Sequence, residues 1–230
     1  MWKHYDRPFA FLARITGEIQ NVETRSPLFK NQLNAIQIKM ELAMSNFLNH
    51  LVLKKVRAEL DAFLGYKQLL DETDLPKLQY QQNTIVENLR LYPTTPVITP
   101  HMSSDCCTVG GYSIPPKTIL LVNAWAIHRD NKLWDDPTCF NPERFDTAEV
   151  NAYKLLPFGL GRRAFPGMGL ANRIIGLTLG SLIQCFEWER INEKPINMVE
   201  GTGGLAMPQN EPLEALCKVR SVMDNIVAIA

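Results

Sequence analysis

Pro157-Phe158-Gly159-Leu160-Gly161-Arg162-Arg163-Ala164-Phe165-Pro166-Gly167 is the most informative segment of this chain. It is a glycine-rich loop, and the apolar run after it predicts a helix over residues 170–186. The loop therefore opens onto a helix N-terminus. Backbone N–H groups there have no partner within the helix, and the helix dipole favours negative charge, so such a loop suits a thiolate or a phosphate. A phosphate loop needs Lys followed by Ser or Thr after its last glycine; here Met168-Gly169 follows, which excludes that reading.

Two further segments lie upstream. Asn141-Pro142-Glu143-Arg144-Phe145 places an arginine after a proline-fixed turn. Glu87-Asn88-Leu89-Arg90 closes a segment of helical character. Residues three apart share a helix face, so the Glu87 carboxylate and the Arg90 guanidinium can meet. Arg144 can complete a Glu–Arg–Arg cluster with them. Exposed, the Glu87–Arg90 pair is worth only about 0.2–0.5 kcal/mol; buried, the cluster fixes geometry more than it stabilises.

The rest of the pattern is mainly helical. Residues 34–63 repeat apolar side chains at three- and four-residue spacing (Ile36, Met40, Ala43, Met44, Phe47, Leu48, Leu51), with a turn near Asn49-His50. Lys54, Lys55, Arg57, Glu59 and Asp61 mark a wet face, and Gly65 a stop. Thr73 or Asp74 is expected to cap a helix over 77–91, with Pro76 at its start and Pro93 beyond its end. Residues 93–123 alternate β-branched residues with Pro and Gly, which predicts a small antiparallel sheet. A short helix is expected over 125–129, and strands over 187–191 and 213–219. The N-terminal 33 residues carry no motif, beyond a short helix near 10–20.

Composition narrows the function classes. Hydrophobic residues make up 46% and charged residues 21%, and 24 Lys+Arg balance 24 Asp+Glu. That excludes a disordered chain, and it leaves no cationic excess for binding nucleic acid by bulk charge. No run reaches the roughly 18 apolar residues of a membrane span, and residues 1–17 do not form an export signal. Five cysteines and four histidines are scattered without the clustering a zinc site needs. The cysteines read as reduced thiols.

Taken in this order, Glu87/Arg90, residues 141–145 and the 157–167 loop resemble the cytochrome P450 superfamily of haem-thiolate monooxygenases. The resemblance is nearest to the plant microsomal type that hydroxylates flavonoids. It covers roughly residues 35–220, including His101, Gly110-Gly111-Tyr112 and Val122-Asn123-Ala124-Trp125-Ala126-Ile127-His128-Arg129-Asp130. The resemblance implies a mainly α fold with a small antiparallel β-sheet, the C-terminal portion of the P450 fold. Residues 34–220 would be the C-terminal half of a haem domain, between an unassigned segment 1–33 and a tail 221–230. It also implies haem as cofactor, a small lipophilic metabolite as substrate and a flavoprotein reductase as electron donor. By the same resemblance Phe158, Gly161, Arg163 and Gly167 fit the haem loop, and His101 and Arg163 fall where relatives bind haem propionates. Relatives sit on the endoplasmic reticulum membrane through an N-terminal anchor, and no counterpart of it is read here.

Three departures accompany the resemblance. The loop cysteine that gives relatives their axial thiolate is Phe165, which has no lone pair for a metal. Cys185 lies several helical turns further on, and Met168 a turn beyond the loop, so neither substitutes. The acid and threonine that relay protons in relatives align with Asn34 and Ala35. The third departure is extent, since only about half of the family's domain has a counterpart. The expectation is a truncated, catalytically impaired family member. The alternative is a non-catalytic haem-binding or protein-interaction module.

Overall fold

A computed structural model describes residues 43–46, 50–65, 68–146, 151–191, 196–199, 201, 210–211 and 213–221. The expected helix at 10–20, the Asn34 and Ala35 positions and Asn49 of the expected Asn49-His50 turn lie outside these residues, while His50 begins a helix. Residues 43–46 are helical. Helix α1 (His50–Leu64) follows from the three- and four-residue apolar spacing, and its buried stripe is Val52, Leu53, Val56, Leu60 and Leu64. It ends where expected, at Gly65 in the left-handed region (φ 63°), whose N–H returns to the Asp61 carbonyl at 3.1 Å.

The next stretch corrects the expected capping. Asp71, not Thr73 or Asp74, is the cap, and it opens a 3-10 turn (Glu72–Lys77) that contains Pro76. Asp71 accepts from the Thr73 N–H at 2.9 Å, and Asp74 accepts from the Asp71 N–H at 3.3 Å, a reciprocal capping box. Helix α2 (Gln79–Leu91) begins afterwards with no side-chain cap of its own. Its cap comes from α1: Glu59 accepts the Tyr80 and Gln81 N–H groups at 2.7 and 2.9 Å. The expected wet face of α1 is therefore only partly wet, because Glu59 and Asp61 are half-buried and engaged. Asp61 pairs with Arg220 at 2.7 Å.

Residues 93–123 form two separate two-stranded antiparallel ribbons rather than one sheet. β1 (His101–Met102) pairs with β4 (Ile119–Leu120), His101 facing Leu120. β2 (Cys107–Val109) pairs with β3 (Tyr112–Ile114) across Gly110-Gly111. Both glycines have positive φ (58° and 85°), which the two-residue hairpin turn requires. Helix α3 (Ala124–Ile127) is capped by the Asn123 side chain on the Ala126 N–H at 2.9 Å. Helix α4 (Met168–Cys185) then runs through the middle of the core and delivers β5 (Phe186–Arg190), which pairs antiparallel with β6 (Ala215–Val219).

The core lies between α1, α2, α4 and this last ribbon. α4 contributes Ile175, Leu179, Leu182 and Ile183, all nearly or fully buried, and Trp188 on β5 donates its indole N–H to the Leu182 carbonyl at 2.9 Å. Close approach is made possible by small residues. A Cβ on Gly180 would lie 2.3 Å from Leu70 Cδ2 and 3.0 Å from the Gln81 amide, while one on Gly169 would meet nothing within 4 Å. Gly180→Ala is therefore expected to destabilise by about 1–3 kcal/mol through overpacking, although alanine is the better helix former. Gly169→Ala is expected to cost nothing. Urea denaturation of the two variants checks the contrast.

Candidate functional site

The site grows from α2, which is unusual in its composition. Gln81, Asn83, Thr84, Glu87, Asn88 and Arg90 are all buried in one helix. Buried polar groups are tolerable only when partnered, and three of these find partners in distant segments. Gln81 donates to the Gly176 carbonyl of α4 at 2.6 Å, Asn83 to Asp146 at 2.7 Å, and Asn88 accepts from Asn46 at 2.7 Å.

Glu87 and Arg90 are fully buried, so they are no surface pair. Arg90 Nε donates to Glu87 Oε2 at 2.7 Å and Nη2 to Oε1 at 2.9 Å, a two-pronged contact. Arg144 Nε reaches the same Oε1 at 3.1 Å, and the Asn141 N–H reaches it at 2.9 Å. The structure thus brings Glu87, Arg90 and Arg144 together. The remaining donors of both arginines go to backbone carbonyls: Arg90 to His128, to Pro137 at 2.8 Å and to Cys139 at 3.4 Å, Arg144 to Asp135 at 2.9 Å and to Asp136 and Cys139. The Arg90 guanidinium also lies 5.1 Å from the ring centre of buried Trp134. The irregular segment 128–141 has little regular structure of its own and is held by these two side chains.

The glycine-rich loop stands on the other side of His128. The segment contains a 3-10 turn (Gly161–Arg163) and closes through the Phe165 N–H to the Phe158 carbonyl at 2.9 Å. It packs on the strand region: a Cβ on Gly159 would lie 3.7 Å from Ile98 Cγ2, three residues before His101. Phe158, Phe165 and Gly167 come together. The rings of Phe158 and Phe165 stack with centroids 5.9 Å apart and planes 16° from parallel. The Phe165 edge leans over Gly167, where a Cβ would lie 2.8 Å from Cε1. His101 is half-buried at the head of β1 and Arg163 is exposed; neither makes a side-chain hydrogen bond or ion pair within the described residues. Both are free to meet a carboxylate.

The residues of this loop do not fit iron ligation. The ring of Phe165 offers no donor atom, and among the described residues no group of three or more His, Cys, Asp or Glu could hold a metal ion. Met168 begins the 18-residue α4 and Cys185 ends it, about 26 Å further along the helix. Burial also pushes the Cys185 thiol pKa upward, away from the thiolate.

Sequence reasoning gave no functional role to His128 or Trp134, and it placed Glu59 on a wet face rather than at the start of α2. His128 is fully buried, with Nδ1 3.0 Å from the Arg90 carbonyl and Nε2 accepting the Leu156 N–H at 2.8 Å. Burial, aided by the nearby Arg90 and Arg129 charges, lowers its pKa from 6.5 to about 4 against the opposing pull of the Arg90 carbonyl. The sequence signals were a place in the Val122–Asp130 stretch of the resemblance and an apolar Trp-Ala-Ile run beside it.

With this geometry in view, comparison with known proteins is specific. Residues 46–214 match the family model for cytochrome P450. The chain is 52% identical over 195 residues to (+)-piperitol/(+)-sesamin synthase of Sesamum radiatum, covering 84% of this chain and 38% of that protein. It is 50% identical over 191 residues to isoflavone 3'-hydroxylase of Medicago truncatula, covering 82% and 38%. Among solved structures, zebrafish cytochrome P450 with progesterone aligns with a TM-score of 0.74 at 29% identity, over 84% of this chain and 44% of that one. The chain thus spans about two fifths of the length of the curated relatives it matches.

Two outcomes are expected from the geometry. Arg90→Ala strands a buried carboxylate and should cost about 3–5 kcal/mol, or abolish folding; Arg144→Ala, at the rim of the cluster, should cost clearly less. Urea midpoints of the two variants measure the difference. The unfolded chain protonates His128 near pH 6.5 and the folded one resists until about 4. The contribution of His128 to stability is therefore whole above pH 6.5 and is lost as pH falls from 6.5 to 4. Urea midpoints across that window should fall more steeply for the native chain than for His128→Asn.

Proposed function

We propose, from the premise that the chain belongs to the cytochrome P450 family, that it is a member whose haem loop no longer supplies the axial thiolate and which therefore does not perform the family's reaction by itself. The family is one of haem monooxygenases, with haem as cofactor and small organic substrates. Residues 34–220 would be the part of this chain that corresponds to the C-terminal half of the family's haem domain. The aligned positions Asn34 and Ala35 would deprive it of the proton relay as well, since neither side chain titrates in the working range. The observation that supports the reading is the Phe158–Phe165 stack, which would put hydrocarbon where relatives carry the ligand.

The relatives named as sesamin synthase and isoflavone hydroxylase suggest that the lineage handled aromatic plant metabolites. A flavoprotein reductase would be the electron donor of its active members. A second reading is supported by His101 and Arg163: two side chains free for carboxylates could hold haem by its propionates without iron ligation, making the chain a non-catalytic haem-binding module.

The test is a haemin titration of the native chain and of Phe165→Cys, each followed by reduction and exposure to carbon monoxide. The native chain is expected to lack the thiolate-type carbonmonoxy spectrum, and Phe165→Cys to gain it where the frame still receives haem. Neither is expected to oxidise substrate when supplied with a reductase. A thiolate-type spectrum from the native chain, or turnover by either protein, would sink the reading. Stoichiometric haem binding by the native chain without that spectrum would favour the second one.

A further inference from the structure

We infer that His128 is a positioning residue for the glycine-rich loop: its neutral ring, protonated on Nδ1, ties the buried Glu87–Arg90 frame to the backbone from which that loop departs. The hydrogen-bond partners leave one arrangement. The Arg90 carbonyl only accepts, so Nδ1 carries the proton; the Leu156 N–H only donates, so Nε2 carries the lone pair. The contact with Arg90 is reciprocal, because the Arg90 guanidinium donates in turn to the His128 carbonyl. Beyond Leu156 the path continues through backbone alone. The Leu156 carbonyl accepts the Gly159 N–H at 3.2 Å, and the Phe158 carbonyl accepts the Phe165 N–H at 2.9 Å. The His128 ring is thus, among the described residues, the side chain that joins the Arg90 carbonyl to the backbone line ending at residue 165.

The charged groups facing the ring explain why it stays neutral there. Arg90 on α2 and Arg129 beside it in the chain both oppose a second positive charge, and full burial opposes any charge. A protonated ring would turn Nε2 into a donor facing the Leu156 N–H, two donors with no acceptor between them. The ring therefore holds the loop only in its neutral form. This role concerns where the loop sits and stands whether or not the loop ligates iron.

Amide exchange in two conservative variants separates the two ends of the ring. The asparagine amide overlays Nδ1 of histidine and the glutamine amide overlays Nε2. His128→Gln can still accept the Leu156 N–H, whereas His128→Asn can keep only the Arg90 contact. Exchange at Leu156 and through residues 158–165 is expected to quicken roughly three- to tenfold in His128→Asn, the scale of one net hydrogen bond, and to stay near native in His128→Gln. Equal exchange in the two variants would overturn the assignment. Because either variant can fail to fold, nitrogen-15 histidine spectra of the native chain provide an independent reading. A neutral Nδ1–H tautomer for His128 at pH 7 is expected, and an Nε2–H tautomer would overturn the assignment on its own.

Discussion

The carboxylate of Glu87 has been taken wholly out of water, and most of the site's geometry follows from how that charge is satisfied. Four donors converge on its two oxygens, from Arg90, Arg144 and the Asn141 backbone. An isolated buried carboxylate would cost far more than any single contact returns. The donors of the cluster therefore act together, with Arg90 at its centre and Arg144 at its rim. Because Arg90 and Arg144 spend their remaining donors on carbonyls between residues 128 and 139, segments far apart in sequence are fixed relative to one helix. Replacing such a cluster by hydrocarbon often stabilises a protein, so its value here lies in specifying one placement for an otherwise irregular loop.

That placement passes to the glycine-rich loop through few contacts, and none of them depends on the side chain at 165. The loop closes by the backbone of Phe165, which donates to Phe158 and accepts from Met168 at 3.2 Å. Any residue with an N–H can make these bonds. The phenyl ring finds room by stacking on Phe158 and leaning across Gly167, which has no Cβ to meet it. The bonds that close the loop are therefore independent of the side-chain chemistry at 165.

The sequence made the cluster legible because each member sits in a segment of fixed local geometry: two residues at helical spacing and one after a proline. Phe165 was singled out by resemblance, as a residue without a donor atom where relatives carry a cysteine. The helices α1 and α4 were legible from apolar spacing and a stop or start glycine. What escaped was every long-range polar role. Glu59 sits at a helical position that reads as solvent-facing, yet it caps α2, because the helix that needs it starts 20 residues later with Leu78 in its cap position. The cap residue was misread for a related reason. Asp71 caps a separate 3-10 turn that contains Pro76, whereas Thr73 or Asp74 was expected to cap the helix that follows.

Helix α2 shows why such roles cannot be read from spacing. Its mean character is polar, and a polar helix ordinarily faces water. Here the polarity is turned inward, with Gln81 against α4, Asn83 against Asp146 and Asn88 against Asn46. Each partner lies at least 42 residues away. Hydrophobic patterning reports which face avoids water, but it cannot distinguish a solvated glutamine from one matched to a distant carbonyl. His128 is the extreme case, since its neighbours in sequence say only that it is near apolar residues. Its meaning lies in two backbone groups, on Arg90 and Leu156, 38 residues before it and 28 after. The features that position this site are thus the ones in which a buried polar atom finds its partner across the fold, and they become visible only once the chain has closed on itself.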